Sequence, residues 1–412
     1  MLWSAVWVVG VPTSLGAQPA PVSGMRISGR TMGTRFSIIV SQLPAGLNQD
    51  EVREGVEAEL ADLAGRLSIQ RPDSVITQFN QYSGSDWFPV SAEVVGLVAE
   101  AQHVGRMTES ALDVTHGPLI DLWNLDPAGP RETVPPAPDV LAFVGARTGM
   151  NQLQYRVENP ALRKLTPNLE LDLSALARGQ GVDRLAEFLE SLRITDYLIE
   201  IGRAVRARGS SPADKPWIVG IPSPARDERQ IEAVAALADQ ALATVVEHGV
   251  LHEFDGRRLG HLIDPRTGRL VDHTLASCTV VSNSCLRADA LASALMVLGP
   301  ERGLQLAEDE GWAVLLIVRD GQSFVQKTTP AFDMLLQIAE GTPTADSATD
   351  RSSFDVRLGA SVMFIVAVAC GILGVVLNRR SLSGPRQVET ETILETDSIL
   401  ETDLTESANF DN

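Results

Sequence analysis

Apolar residues recur every three or four positions in two segments of the chain, which predicts two amphipathic helices. In the first segment, EVREGVEAELADLAGRLS, these residues are Val52, Val56, Leu60, Leu63 and Leu67. In the second segment, RGQGVDRLAEFLESLR, they are Val182, Leu185, Leu189 and Leu192. Each helix is expected to bury one face against a core.

Other segments carry the alternation or the short apolar runs of β-strands. MRISGRTMGTRFSIIVS alternates around Gly33 and predicts a strand or a hairpin. Further strand candidates are DYLIEIG, PWIVGIP, ALATVV, ASCTVVS and WAVLLIV. Because strands and helices are interleaved irregularly, the sequence predicts an α+β class: mixed sheets with flanking helices in one large domain, residues 24–340.

A third helix, LRADALASALMVLG, is apolar almost all round but contains Asp289 and Ser293. One interpretation is structural: Asp289 suits the helix dipole, and Ser293 bonds back to a carbonyl one turn earlier. The other is functional, because residues four apart face the same way and offer two oxygen atoms to one ligand. The helix alone leaves both interpretations open.

Two apolar segments near the termini indicate export and attachment to a membrane. Residues 1–17 are apolar and end in small residues, which is typical of an export signal, although a basic start is missing. Residues 358–377, LGASVMFIVAVACGILGVVL, carry no charge and match the thickness of a bilayer, so they predict a transmembrane helix in contact with membrane lipid.

The flanks of the transmembrane segment predict its orientation. Arg379 and Arg380 follow it directly, which places the C-terminal side in the cytoplasm. The large domain is then expected on the extracytoplasmic, periplasmic side, joined to the membrane by a linker over residues 341–357. Residues 378–412 are acidic and contain the sequence ILETD twice. This composition predicts a disordered cytoplasmic tail.

Composition excludes some functions. A net charge of −19 and a pI near 4.7 argue against a nucleic-acid partner, since no basic stripe is present to neutralise phosphates.

The cysteines and histidines leave one alternative open. Cys278 and Cys285 fit either a disulfide or two buried thiols. The spacing of the six histidines does not assemble a zinc site.

Seven motifs in order resemble the FAD:protein FMN transferases, the ApbE-type flavin transferases. They are TMGTRFSI, RPDSVITQFN, ALDVTHGPLIDLW, LDLSALARGQGVD, YLIEIG followed by VRARG, HLIDPRTGRLV, and RADALASAL. The resemblance spans roughly residues 25–336. It implies an exported, Mg²⁺-dependent enzyme that splits FAD and attaches FMN to a threonine or serine of an exported or membrane partner protein, releasing AMP.

The resemblance also implies the site residues. Mg²⁺ would be held by Asp289, by Ser293, which stands where the family has threonine, and by the backbone carbonyl of Ala175. Such hard oxygen ligands suit Mg²⁺, which takes its other contacts from water and phosphates. Residues implied in binding FAD are Met32, Gly33, Arg178, Gly179, Gly202, His261 and Thr267. Arg178, His261 and Asp264 are the catalytic candidates, Arg178 because a cation near a helix start favours a pyrophosphate.

Some residues match the motifs of the family, and others replace residues that the family uses to bind flavin. Asp172, Ser174 and Asp183 match a motif, but caps or paired structural carboxylates explain them equally well. Gln70 replaces a tyrosine that packs on the flavin, and Gln180 replaces another tyrosine. The alternative function is therefore a catalytically degenerate protein that binds flavin or a membrane partner, and a weaker alternative is an FAD pyrophosphatase.

Overall fold

The computed structural model describes residues 24–123, 135–225, 230–247, 252–254, 257–260 and 262–341. The predicted signal (residues 1–17), transmembrane segment (358–377) and acidic tail (378–412) lie outside these residues, as does all but the first residue of the linker (341–357). Among the described residues, no helix has both the length and the apolar character needed to span a bilayer.

The strands of the described residues are numbered in chain order. They are β1 (Met25–Thr31), β2 (Thr34–Val40), β3 (Phe88–Pro89), β4 (Leu153–Arg156), β5 (Ala161–Lys164), β6 (Tyr197–Ile201), β7 (Ala204–Arg208), β8 (Trp217–Pro222), β9 (Ile231–Leu237), β10 (Ala241–Val246), β11 (His252–Phe254), β12 (Arg257–Leu259), β13 (Ile263–Asp264), β14 (Arg269–Leu270), β15 (Leu275–Ser282), β16 (Ala313–Asp320) and β17 (Ser323–Thr328).

The helices are numbered in the same way. They are α1 (Gln49–Leu67), α2 (Val75–Gln81), α3 (Ala92–Met107), α4 (Gly117–Trp123), α5 (Pro138–Gly145), α6 (Ser174–Ser191), α7 (Cys285–Leu298), α8 (Pro300–Asp309) and α9 (Pro330–Gly341). A single 3₁₀ turn, Met150–Gln152, precedes β4.

The centre of the described fold is an antiparallel sheet with the strand order β1-β2-β6-β7-β10-β15-β16-β17. Its first hairpin turns through Met32 and Gly33, which both have positive φ (46° and 72°). Two such residues between paired Thr31 and Thr34 form the type I′ geometry that matches the twist of antiparallel strands. Smaller sheets are β3-β5-β4, β8-β9, β11-β12 and β13-β14.

The central sheet lies between two layers. On one face, side chains such as Ile38, Ile199 and Val280 pack against α1, α6 and α7. On the other face, residues such as Leu315 and Ile317 pack against the β8–β9 hairpin and α9. Burying apolar side chains on both faces is the main stabilising contribution of this arrangement, and it fixes α6 and α7 side by side on one face.

The α+β prediction is confirmed as a mixed fold with a large sheet and flanking helices. All five apolar positions predicted for the first helix are buried in α1. The second predicted helix, residues 178–193, overlaps α6, which begins four residues earlier and ends at Ser191. The third coincides with α7 to within a residue. The hairpin around Gly33 and the five further strand candidates are also present, as β6, β8, β10, β15 and β16. Cys278 and Cys285 are free, buried thiols, so the disulfide alternative is wrong.

Lys164 on β5 is an unusual buried cation and leads to a pH prediction. Its side chain is 1% exposed, and Nζ donates to the Asn80 carbonyl at 2.9 Å. Burial lowers the Lys164 pKa to about 8, and the Glu170 carboxylate offsets this only in part. An unfolded lysine titrates near pH 10.4, so between about pH 8 and 10.4 the unfolded chain binds more protons and stability rises with pH.

Lys164→Met should remove this pH dependence. Between pH 7.5 and 9.5, the free energy of unfolding of the parent should rise by about 1–2 kcal/mol relative to the variant. Urea unfolding of both proteins at the two pH values measures this difference, and other titrating groups cancel in the comparison. Parallel curves for parent and variant would show that Lys164 titrates normally.

Candidate functional site

A cavity of about 690 Å³ lies where α6 and α7 meet the turn between β1 and β2. Four predicted site residues line it: Met32, Ala175, Arg178 and Ser293. The rest of its wall comes from the end of α1 and the loop after it, the turn before α4, and the strand β13: Ala64, Leu67, Ser68, Ile69, Gln70, Arg71, Ala111, Leu112, Asp113, His116, Ile120, Asp172, Ser174, Ala177, Leu262, Ile263, Pro265 and Val297. A cavity of this size and mixed lining is typical of a binding site for an organic ligand.

The N-terminus of α6 opens onto this cavity. The helix begins at Ser174, whose N–H donates to the Asp172 carboxylate at 2.8 Å, so Asp172 acts as a local cap. Ala175 lies in the first turn, and Arg178 follows with its side chain 40% exposed. The prediction that Arg178 lies near a helix start is confirmed. The positive end of the helix dipole and a guanidinium together favour an anionic ligand here.

The carboxylate of Asp289 lies beside Arg178 and is almost fully buried. It is 2% exposed, and one oxygen accepts a hydrogen bond from the Gly179 N–H at 3.2 Å. The other oxygen is 3.7 Å from the Arg178 guanidinium. Burial raises the pKa of Asp289, and the Arg178 charge and the Gly179 N–H act against this without offsetting it. The described neighbours therefore compensate this buried charge incompletely.

Gly179 allows α6 to approach α7 closely enough for this contact. A Cβ atom at position 179 would lie 2.6 Å from the Cys285 carbonyl oxygen and 2.8 Å from Leu286 Cα, which are backbone atoms that cannot move aside. In an α-helix the N–H of residue 179 is also the donor for the carbonyl of Ala175. Because this N–H is shared with Asp289, the Ala175 carbonyl keeps capacity for a further partner.

These groups fit a divalent cation that takes few protein ligands. Ser293 lies one turn after Asp289 on α7, lines the cavity, and its hydroxyl has no hydrogen-bond partner within the part of the chain that the structure describes. The described residues also contain no cluster of three or more His, Cys, Asp or Glu suited to a metal. One carboxylate, one hydroxyl and one backbone carbonyl suit Mg²⁺, which usually completes its shell with water and substrate phosphates.

The structure does not bring every predicted site residue to the cavity wall. The Asp264 carboxylate is engaged by Arg266, whose Nε and Nη2 each donate at 2.8 Å, and Thr267 lies in the same turn, outside the lining. Pro265, between them, does line the cavity. His261 lies outside the described residues. The roles of Asp264, Thr267 and His261 stay predictions.

The two remaining predicted glycines lie near the cavity in turns. Gly33 forms the tip of the β1–β2 hairpin. Gly202 has a φ of 61° in the β6–β7 turn, and a Cβ there would lie 3.2 Å from Thr34 Oγ1 and 3.5 Å from Arg178 Cδ. Gly202 thus gives the Arg178 side chain room beside the hairpin.

Sequence analysis did not single out two polar residues of the wall, Asp113 and His116. Both lie within the motif ALDVTHGPLIDLW, which was the signal available, but the motif did not show which of its side chains face a cavity. Among the departures from the family pattern, Gln70 lines the cavity. Gln180 instead donates to Glu93 at 3.0 Å.

Comparisons with known proteins indicate the family of the chain. A sequence model of the ApbE family matches residues 32–316. The chain is 36% identical to the FAD:protein FMN transferase of Vibrio cholerae over 332 residues, 80% of this chain and 98% of that protein. It is 36% identical to the FAD:protein FMN transferase of Haemophilus influenzae over 346 residues, 82% and 99% of the two chains.

A solved structure gives the same result for the fold. The crystal structure of the flavinyl transferase ApbE of Pseudomonas stutzeri, in its apo form, superposes with a TM-score of 0.70 at 34% identity. The match covers 76% of this chain and 97% of that one. Because the family model spans well over half of the chain and these relatives are matched almost end to end, the chain belongs to the ApbE family of FAD:protein FMN transferases.

Proposed function

We propose that this chain transfers FMN from FAD to a threonine or serine hydroxyl of an exported partner protein, with Mg²⁺, and releases AMP. The observation that carries the proposal is the buried carboxylate of Asp289, which lies 3.7 Å from the Arg178 guanidinium, next to a cavity lined by Arg178, Ser293 and the N-terminus of α6. A buried negative charge beside an anion-binding helix end suits a cation and a pyrophosphate bound together.

Each residue has a distinct part in this proposal. Asp289, Ser293 and the Ala175 carbonyl would hold Mg²⁺, which would neutralise charge on the pyrophosphate when bound. Arg178 binds a phosphate oxygen through its planar guanidinium. The positive end of the α6 dipole favours the same anionic group at this position. Fixed positions and charges of this kind supply most of the catalysis in phosphoryl transfer.

The flavin end of the cavity differs from the phosphate end. With Gln70 in the wall, the side chain at this position cannot stack on the flavin as an aromatic ring would, a contribution of about 0.5–1.5 kcal/mol. About 1.4 kcal/mol corresponds to tenfold in affinity. The chain is therefore expected to need more FAD than relatives with an aromatic residue here, while the chemical step is less affected.

The reaction can be tested with the purified full chain, FAD, Mg²⁺ and an exported protein of the same cell that carries covalent flavin. We expect AMP and covalently flavinylated acceptor in equal amounts, and EDTA should stop both. AMP without labelled acceptor would favour a pyrophosphatase. No AMP at saturating FAD would favour the flavin-binding or partner-binding alternative.

We further propose that the reaction takes place outside the cytoplasm, with the domain anchored in the membrane by residues 358–377. The uncharged length of that segment and the arginines that follow it support this orientation. Protease added to spheroplasts should remove the domain and leave the acidic tail. A protected domain would contradict the orientation.

A further inference from the structure

A groove continues from the cavity along α5. It consists of two neighbouring depressions of about 430 and 330 Å³. The first shares Asp113 and Pro265 with the wall of the cavity, and the second shares Gly145, Pro265 and Arg266 with the first. We call the two depressions together the α5 groove. Because they share wall residues, a chain segment bound in the α5 groove lies directly next to the cavity.

The Asp113 end of the α5 groove adjoins the segment proposed to bind the pyrophosphate. The carbonyl of Val114 accepts from the Asp172 N–H at 2.8 Å. Asp172 caps the start of α6, where Arg178 lies. The α5 groove therefore begins at the part of the cavity where the proposed transfer takes place.

The α5 groove is basic, although the chain as a whole has a net charge of −19. Three of the described residues that line it are arginines: Arg106 at the end of α3, Arg266, and Arg269 on β14. The carboxylate among these lining residues is that of Asp113, which accepts two hydrogen bonds from Thr115. The groove thus carries an excess of positive charge on an acidic protein.

Two of the three arginines are not neutralised within the part of the chain that the structure describes. Arg266 is engaged by Asp264 at 2.8 Å and lies 3.7 Å from Glu109. Arg106 and Arg269 are exposed and form no ion pair with a described residue. Both guanidinium groups can therefore pair with carboxylates of another molecule, which steers such a molecule to this face.

An exposed apolar patch lies on the helix that forms one side of the α5 groove. Phe143 is 69% exposed and follows Ala142, which lines the groove. The Arg147 guanidinium lies 5.4 Å from the centroid of the Phe143 ring, a cation–π contact. Val140, almost one turn earlier on α5, is 39% exposed. Aromatic residues and arginines together are typical of surfaces that bind proteins.

We propose that the α5 groove and Phe143 dock the acceptor protein, an inference that rests on the proposed function. The acceptor has to bring its hydroxyl into the cavity, so the residues next to that hydroxyl cross the adjoining surface. The groove starts at the cavity wall and leads away from it past Pro265. Its charge and the exposed ring fit an acceptor segment that carries acidic side chains and an apolar side chain.

Arg106→Glu and Phe143→Ser test docking in the transfer reaction of the full chain. In each variant the KM for the acceptor should rise about tenfold, the effect of losing one well-placed interface contact. The kcat at saturating acceptor and the affinity for FAD should stay at parental values. Added NaCl should raise the acceptor KM of the parent more steeply than that of Arg106→Glu, because salt screens the attraction between charges.

Two exposed residues outside the cavity and the α5 groove provide matched controls. Arg193→Glu reverses the charge of another exposed arginine, in the turn after α6. Val157→Ser removes an apolar side chain that is 70% exposed, about as much as Phe143. Both controls should keep the parental KM for the acceptor.

Binding can also be measured without the reaction. The probe is the exported flavin-acceptor protein of the same cell, with its flavin-attachment threonine or serine replaced by alanine. Isothermal titration of this probe gives a Kd for each protein. We expect the Kd to be about tenfold higher for Arg106→Glu and Phe143→Ser than for the parent, and unchanged for the two controls.

The outcomes separate this inference from the proposed function. If the parent and both groove variants bind the probe equally well, the acceptor docks elsewhere and the inference is wrong. Groove variants that lose affinity for FAD and bind the probe normally would assign the α5 groove to FAD and likewise reject the inference. A parent that binds the probe but releases no AMP and transfers no FMN would reject the proposed function, while the Kd comparison would still decide where the partner docks.

Discussion

Asp289→Asn is expected to reduce FMN transfer by about 10³-fold, which corresponds to about 4 kcal/mol in the barrier. The variant should also lose the stabilisation by Mg²⁺, which for a ligand of the native state equals RT ln(1 + [Mg²⁺]/Kd). Both effects have one cause, because the carboxylate is the charged protein ligand in the proposed metal site. Urea unfolding in Mg²⁺ and in EDTA, with a transfer assay, measures them.

The metal-free state gives the more discriminating result. Burial raises the pKa of Asp289, so the folded protein binds this proton more tightly than the unfolded chain does. The stabilisation that the protonated Asp289 side chain contributes is therefore lost as the pH rises above the ordinary aspartate pKa. At neutral pH the buried negative charge of Asp289 lowers the free energy of unfolding. Asparagine keeps the shape without the charge. In EDTA the variant should be at least as stable as the parent.

Asp50→Asn provides the control for a lost carboxylate, since Asp50 is exposed in the first turn of α1. It should leave both the transfer rate and the Mg²⁺ effect unchanged. If Asp289→Asn is destabilised equally in EDTA and in Mg²⁺, Asp289 is a structural residue. The account of the metal site would then be wrong.

Asp183→Ala is expected to destabilise the domain by about 3 kcal/mol, because it removes a partly buried cap and an ion pair together. One carboxylate oxygen of Asp183 accepts from Cys285 N at 3.0 Å and from Arg206 Nη1 at 2.8 Å. The other accepts from Ser284 Oγ at 2.8 Å and from Leu286 N at 2.9 Å. The side chain is 14% exposed, so water replaces these bonds poorly.

Glu187→Ala is the matched control, one turn further along α6 and exposed. Its free energy of unfolding should stay within about 0.5 kcal/mol of the parent. Urea unfolding in EDTA measures both variants without a contribution from metal. A loss below 1 kcal/mol for Asp183→Ala would mean that the start of α7 is held by other contacts.

Hydrophobic patterning sufficed for the helices and strands that the sequence analysis named, because the burial of apolar side chains determines that pattern. The five apolar positions of α1 and the strands on both faces of the sheet follow from which residues avoid water. For Asp289 and Ser293, spacing on one helix showed that they face the same way. The structure adds that α7 lies against the start of α6, so that Ser293 lines the cavity and the Asp289 carboxylate lies beside Arg178 and Gly179.

Other roles depend on contacts that spacing does not contain. Asp183 fitted either a site residue or a structural carboxylate, and only the packing of α6 on α7 shows that it caps α7. Asp264 offered suitable chemistry, but its neighbour Arg266 engages the carboxylate. His116 drew no attention because the motif that contains it does not show which of its side chains line the cavity.

The most direct test of the central claim is to locate the metal. Crystals of the protein grown with FAD and Mn²⁺, measured at the manganese absorption edge, should show one anomalous peak about 2.1–2.2 Å from an Asp289 carboxylate oxygen. The Ser293 hydroxyl and the Ala175 carbonyl should lie in the same coordination shell, with a pyrophosphate oxygen completing it. A peak elsewhere, or FAD bound in the cavity without manganese at Asp289, would contradict the account.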